Sequence, residues 1–161
     1  MRISVEPTTH VLVLTGAGIS AESGVKTFRD AGGLWEGHDV QRVASPRGFF
    51  DDPLLVWRFY SERRASLVGV TPNAGHRALV ELEARLGDRF LLVTQNVDGL
   101  HAAAGSERLV EMHGNICRSR CTECARPAFA DATAYRAGLV PMCGQCKARG
   151  ADARRKRDCV N

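Results

Sequence analysis

The sequence has no run approaching the roughly 20 consecutive apolar residues that span a bilayer as a helix. Its first stretch, Met1 to Leu14, lacks the basic-then-apolar order and small-residue cleavage site of a secretion signal. A helical membrane protein is therefore excluded, and the expected address is the cytoplasm. An excess of one charge sign is missing too. The chain holds 22 basic and 18 acidic residues; with six and two of these in the segment Lys147 to Asp158, the part from Met1 to Cys146 balances at 16 each. The net charge of +4 thus sits in the tail, and the body has no basic character to recommend a nucleic acid as partner. There is no internal repeat and, outside that tail, no low-complexity segment. With 161 residues, 44% hydrophobic and 25% charged, the composition fits one soluble globular domain and excludes a long disordered chain.

What is present reads as α/β. Val11 to Leu14 is a short apolar run ending at Thr15 and Gly16, the pattern of a buried parallel strand feeding a glycine turn, and Phe90 to Thr94 repeats it. Between them, Asp52-Pro53 starts a helix reaching about Leu67, with Leu54, Trp57, Tyr60 and Arg64 at helical spacing. Thr71-Pro72 starts a second, with Gly75, Leu79, Leu82 and Leu86 near one face and Gly87 as its C-terminal cap. The stretch from Gly24 to Arg47 shows no sustained period and reads as a long loop with at most one helical turn, and loops of that length are usually functional. After Met112 the texture changes to short segments broken by Cys, Pro and Gly, as in a small metal-stapled module.

Four cysteines carry the clearest signal. Cys121 and Cys124, then Cys143 and Cys146, form two CxxC pairs, and in a reducing compartment such pairs point first to metal. Two thiolates on each of two tight turns complete a tetrahedral sulfur shell that suits one structural zinc ion and leaves no open catalytic position. Cys117 and Cys159 read as ordinary thiols.

Other motifs are open to two readings. Gly16-Ala17-Gly18-Ile19-Ser20-Ala21, with Gly24 beyond, matches G-x-G-x-x-A after a strand. It either brings backbone amides to a pyrophosphate at a helix N-terminus or is a plain glycine turn. No second strand carries an acidic ribose ligand, since Asp39, at about the right distance, lies in the irregular loop. Thr94-Gln95-Asn96-Val97-Asp98 ends the second apolar strand, where open α/β sheets place ligands, though Asn96 and Asp98 also suit a helix cap. His113 is either a base or a structural histidine.

Taken together, GAGISAESGV at 16–25, TFR at 27–29, TQNVDGLH at 94–101, EMHG at 111–114 and the two CxxC pairs stand in the order found in sirtuins, and the chain resembles that family of NAD-dependent protein-lysine deacylases from Val11 to Cys146. The resemblance implies a Rossmann-like parallel sheet with an inserted zinc module. It assigns residues 1–113 to the NAD-binding part, with a helical insertion at about 35–72, residues 114–147 to the zinc module, and 148–161 to a basic, disordered or aberrant tail. It makes Gly16, Ala17, Gly18, Ile19, Ser20 and Gly24 the loop that cradles NAD, with Phe28, Arg29 and Trp35 also on the cofactor. Gln95, Asn96, Val97 and Asp98 are implied to position the nicotinamide ribose, Asn96 sharing in catalysis and His113 acting as the base. The implied reaction is transfer of the acyl group from a protein lysine to ADP-ribose with loss of nicotinamide, on acylated-lysine proteins or peptides and away from membranes.

Phe59-Tyr60-Ser61-Glu62-Arg63-Arg64 resembles the helix of class III sirtuins, in which a Tyr and an Arg three residues later bind an acidic acyl group such as succinyl, malonyl or glutaryl. Tyr60 and Arg63 share a helix face, so a phenol and a two-pronged guanidinium can meet one carboxylate. An ordinary exposed Arg is the bland alternative. Lys26 and Asp30 stand where the family usually has Pro and Gly. After Cys146 the chain ends on KARGADARRKRDCVN in place of the family's second Rossmann half. That ending suggests a truncated or frameshifted frame, an uncovered parallel sheet of marginal stability, and weakened NAD affinity. The competing expectation is a zinc-stabilised, non-catalytic fragment that binds another macromolecule. An NAD dehydrogenase is disfavoured, because no hydride-transfer site is visible.

Overall fold

A computed structural model describes residues 6–26, 34–35, 37–136, 138–147 and 159–160, and for Leu34, Trp35, Cys146, Lys147, Cys159 and Val160 it describes the backbone alone. In chain order the elements are β1 (Val11–Thr15), a 3-10 helix (Ala17–Ser23), β2 (Leu34–Trp35), β3 (His38–Asp39), α1 (Val40–Val43), α2 (Pro46–Asp51), α3 (Pro53–Ser66), α4 (Ala74–Leu86), a 3-10 turn (Gly87–Arg89), β4 (Phe90–Thr94), α5 (Leu100–Ala104), β5 (Leu109–Glu111), β6 (Arg118–Cys121), β7 (Phe129–Ala130), α6 (Gly144–Lys147) and β8 (Cys159–Val160). They fall into two compact units, Met1–Thr27 with Gly69–Gly114, and Phe28–Val68 with Asn115–Asn161.

The first unit is built on a parallel sheet in the order β1-β4-β5. Both strands expected from their apolar runs form, and they pair directly from Val11 with Phe90 to Thr15 with Thr94. Phe90, Leu92 and Thr94 are buried on one face of the sheet, whereas Leu12, Leu14, Leu91 and Val110 are exposed on the strands. Helix α4 begins at Ala74, not at Thr71-Pro72. Asn73 decides this: its side-chain oxygen accepts from the amides of Gly75 and His76, while the His76 ring accepts from the Asn73 amide, a closed capping box. The face of α4 that is buried is likewise more polar than expected, with His76 and Glu83 inside. Glu83 accepts from the amides of Glu107 and Arg108 and so holds the approach to β5.

In the second unit the described part of the stretch expected to be a loop, residues 34–35 and 37–47, holds more than the one helical turn allowed for. Beyond the β2-β3 hairpin it holds α1 and the start of α2. Caps set these helices without any sustained period, which is why periodicity missed them. Asp39 accepts from the Gln41 amide and Ser45 from the Gly48 amide, with Pro46 at the first position of α2. Gly48 is obligatory there, because a Cβ would collide with the Arg42 carbonyl. Helix α3 runs from Pro53, capped by Asp52, to Ser66, close to the bounds expected. Its buried side chains are Val56, Trp57, Phe59, Ser61 and Arg64, while Leu54 is exposed. The remaining strands form an antiparallel sheet in the order β7-β6-β8.

Candidate functional site

Thr15, Thr94 and Glu111 lie side by side in the parallel register. The ladder continues past them, as the Gln95 amide donates to the Thr15 carbonyl (3.0 Å) and the Met112 amide to the Thr94 carbonyl (2.9 Å). The glycine loop from Gly16, the segment Gln95–Asp98 and the turn holding His113 therefore leave from one sheet edge, the carboxyl edge where open α/β sheets bind ligands. Gln95 and His113 are exposed, Asn96 is buried, and Val97 and Asp98 are half-buried. Gly114 follows His113 in a left-handed conformation (φ 76°), closing the turn with a hydrogen bond to Glu111.

A hydrogen-bonded network joins these segments. The Ser20 hydroxyl donates to Asp98 Oδ2 (2.7 Å) and accepts from Asn96 Nδ2 (3.1 Å). His76 Nδ1 accepts from the Asn73 amide, which leaves the proton on Nε2, 3.5 Å from the Ser20 oxygen. Asn73 also donates to the Ile19 carbonyl (2.7 Å) and the Ser23 hydroxyl (3.0 Å), tying the 3-10 helix to α4. Asp98 serves twice, because its other oxygen accepts from the Leu100 amide at the start of α5. Asp98 thus binds the first amide of α5, one residue ahead of the Gly99 cap position, and at the same time holds the glycine loop through Ser20. Next to His76 is His101, its ring tilted at 58° to the other with 4.8 Å between centroids, and its Nε2 at 2.9 Å from the Thr15 hydroxyl. Its Nδ1 is buried and has no partner among the described residues.

Burial pushes both imidazoles below the ordinary histidine value; Arg77 adds to this at His76 and His76 adds to it at His101, while Asp98 opposes both. Neutral rings suit the role, since each nitrogen is then a fixed donor or acceptor. Sequence reasoning missed Asn73, His76, His101 and Thr15. The one local signal was Asn73 three residues before His76, a capping-box spacing.

The glycine loop is open at this edge: a Cβ built on Gly16 or Gly18 would meet nothing within 4 Å, so a ligand could approach the loop backbone. Phe28 and Arg29 lie outside the described residues, as does the side chain of Trp35.

In the second unit, the sulfurs of Cys121, Cys124 and Cys143 lie within 4.8 Å of one another, with Cys124 and Cys143 at 3.8 Å. The Glu123 amide donates to the Cys121 sulfur (3.4 Å), as expected for a knuckle that presents thiolates. The side chain of Cys146 lies outside the described residues, and its backbone follows Cys143 into α6. Trp57 packs on Cys121 and Cys143, with Phe49, Cys124, Tyr135 and Val140 around them. Such a soft, close set of donors fits a thiophilic metal ion.

Tyr60 and Arg63 both touch the buried Phe59 ring. Tyr60 meets it edge-on (5.3 Å between centroids), and the Arg63 guanidinium stacks over it at 4.4 Å, also donating to the Phe59 carbonyl (3.3 Å). His38 meets the same ring edge-on at 5.4 Å. Burial raises the Tyr60 phenol above its ordinary value, so it stays a donor.

The Sir2 family model matches residues 16–153. The chain belongs to the Sir2 family. This Sir2-family chain is 57% identical over 116 residues to an NAD-dependent protein deacylase of Pasteurella multocida (strain Pm70), covering 71% of the chain and 50% of that relative. It is 57% identical over 115 residues to one of Yersinia pestis, covering 70% of the chain and 41% of the relative. Among solved structures, a Sir2 homologue–NAD complex aligns with a TM-score of 0.75 at 38% identity, over 95% of the chain and 56% of that structure. A Sir2–p53 peptide–NAD+ complex aligns at 0.66 and 27% identity, over 92% and 56%. The Sir2 fold, a Rossmann-like parallel sheet, is thereby shown, and the chain spans about half the length of the curated relatives it matches.

Proposed function

We propose that this chain carries the NAD and acyl-lysine chemistry of a protein deacylase, removing acyl groups from protein lysines to give nicotinamide and O-acyl-ADP-ribose. The observation that carries it is the Ser20 hydroxyl, which joins the glycine loop to Asn96 and Asp98 at the edge that also presents His113. Gly16 to Ser20 and Gly24 offer the backbone to the pyrophosphate. Asn96 and Asp98, held by Ser20 and His76, orient the ribose and nicotinamide, and Gln95 and Val97 border them. His113, exposed on a tight turn, takes the proton from a ribose hydroxyl. NAD is consumed, so what the protein supplies is placement, a fixed polar environment and that proton acceptor.

Acidic acyl groups are the preferred substrates in this reading. A carboxylate would receive one hydrogen bond from the Tyr60 phenol and a charge-assisted pair from Arg63. Cys121, Cys124, Cys143 and Cys146 hold one structural zinc ion, Phe28, Arg29 and Trp35 complete the cofactor contacts, and the protein works in the cytoplasm.

The test is mass spectrometry of a succinyl-lysine peptide incubated with the zinc-loaded chain, with and without NAD. NAD-dependent loss of the succinyl mass, abolished by His113→Ala and weakened by Arg63→Met, is expected. A folded, zinc-holding chain that leaves the peptide intact would overturn the enzymatic reading in favour of a zinc-stabilised binding chain.

A further inference from the structure

Arg64 is the largest fully buried side chain in the described structure, and neither the deacylase chemistry nor the metal site uses it directly. Its guanidinium is fully enclosed, with side-chain exposure of 0%. Nε donates to the Ile116 carbonyl (2.7 Å), one terminal nitrogen to Asp131 Oδ2 (3.2 Å) and the Thr133 carbonyl (3.0 Å), and the other to the Ser119 hydroxyl (3.0 Å). Ser119 in turn donates to Asp131 (2.7 Å), as does the Tyr135 hydroxyl (3.2 Å to Oδ2). Burial alone would raise the Asp131 pKa, but the Ser119 bond, the Arg64 charge and the Thr133 contacts together hold it below the ordinary value. The ion pair is thus fully hydrogen-bonded, the condition under which a buried pair is tolerated.

The partners of Arg64 come from the Ile116 to Tyr135 segment, which also carries Cys121 and Cys124. Seven residues earlier on the same helix face, Trp57 packs on Cys121 and Cys143, and Tyr135 stands edge-on to it at 5.3 Å while also lying 5.9 Å below the Arg64 guanidinium. Helix α3 is therefore fastened to the cysteine module at two points, two turns apart. Arg64 is the second, and it lies in the last turn, next in the chain to Arg63. Along the adjacent strip of the helix run Phe59, Tyr60 and Arg63, which meet at the Phe59 ring.

We infer that Arg64 is a positioning residue for acyl recognition. By clamping the end of α3 to the cysteine module through Asp131, it keeps the last turn of the helix from fraying, so that Arg63 stays over the Phe59 ring beside Tyr60, ready to meet a carboxylate. This rests on the reading of Tyr60 and Arg63 as the acyl-selecting pair. A surface Arg would leave selectivity to Arg63 alone. A buried one makes the selectivity depend on a residue that touches no substrate, and makes the metal-bearing module part of the acyl-reading device.

The experiment measures dissociation constants of labelled succinyl-lysine and acetyl-lysine peptides for the full zinc-loaded chain in the presence of ADP-ribose, which supports no turnover, with zinc content and far-ultraviolet circular dichroism as fold controls. Arg63→Met should reduce the succinyl-over-acetyl preference by about tenfold or more. Arg64→Lys, which keeps the charge but loses the fork, and Asp131→Asn should each reduce it roughly threefold to tenfold, with zinc content unchanged. Asp131→Glu should restore part of the preference. A preference lost in Arg63→Met but untouched in folded Arg64→Lys and Asp131→Asn overturns the role of Arg64 alone. A wild-type chain without any preference overturns the reading of Tyr60 and Arg63, and the role of Arg64 with it.

Discussion

The two units hold buried polar groups by different means. In the first, the network around Ser20 sets a hydroxyl, an amide and two histidines kept neutral around one half-buried carboxylate, Asp98, so proton positions do the organising. In the second, a guanidinium and a carboxylate are buried together, in the unit that also holds three cysteine sulfurs close enough to share a metal ion. Hydroxyls, amides and neutral rings cost less to desolvate than a buried ion pair and can be reshaped by a ligand, which suits the proposed nucleotide site. A buried ion pair is rigid and expensive to break, which suits a frame that must not move.

Metal removal should separate the units most sharply. Chelation is expected to unfold the second unit while leaving amide protection in β1 and β4 intact, because the thiol cluster with Trp57 is a core of the second unit, whereas β1 and β4 belong to the first. Hydrogen exchange read by mass spectrometry checks this, and simultaneous loss of protection in both would show that the units are one cooperative structure.

Next in size is His113→Ala, which should lower any NAD-dependent deacylation by about a hundredfold or more. Since His113 is exposed on its turn, the midpoint of chemical unfolding should stay unchanged. A shifted midpoint would mean that the histidine is structural.

Asn73→Ala removes a helix cap and the two bonds to the 3-10 helix at once. It should cost about 1–2 kcal/mol in denaturant unfolding of the first unit. NAD affinity measured by calorimetry should fall with it, because the glycine loop loses its tie to α4. Unchanged affinity would detach the cap from the site.

The smallest effect is the pH dependence. Depressed pKa values at His76 and His101 mean that the folded chain binds fewer protons there than the unfolded chain. That contribution is complete above about pH 6.5 and is lost progressively as pH falls below it. At Asp131 the depressed value protects the second unit down to lower pH, its contribution being complete above about pH 4 and lost as pH falls through the folded value. Exchange measured against pH should therefore show the first unit loosening earlier, and His76→Asn should flatten that response.

Much of this was legible in the residues. Apolar runs located β1 and β4 and their parallel pairing, though the burial expected of them holds on one face only, since Leu12, Leu14 and Leu91 are exposed. Asp52-Pro53 marked the start of α3 correctly, and the CxxC pairs were drawn together as far as their sulfurs are described. The misses share a cause. The short helices α1 and α2, the start of α4 and the buried charged or polar positions Arg64 of α3 and His76 and Glu83 of α4 are set by side-chain hydrogen bonds, and apolar periodicity is blind to those. Arg64 appeared only as a member of a helical stripe.

The sequence by itself determined which chemistry-bearing groups are present and in what order, because a glycine turn, a CxxC knuckle and a Tyr-Arg helical pair are local and need only neighbouring residues. Tertiary structure alone decided which of them meet. Ser20 reaches Asp98 across 78 positions, and Arg64 reaches Asp131 across 67. No local rule encodes those partners, because each burial is made tolerable only by a group that the fold brings from far along the chain.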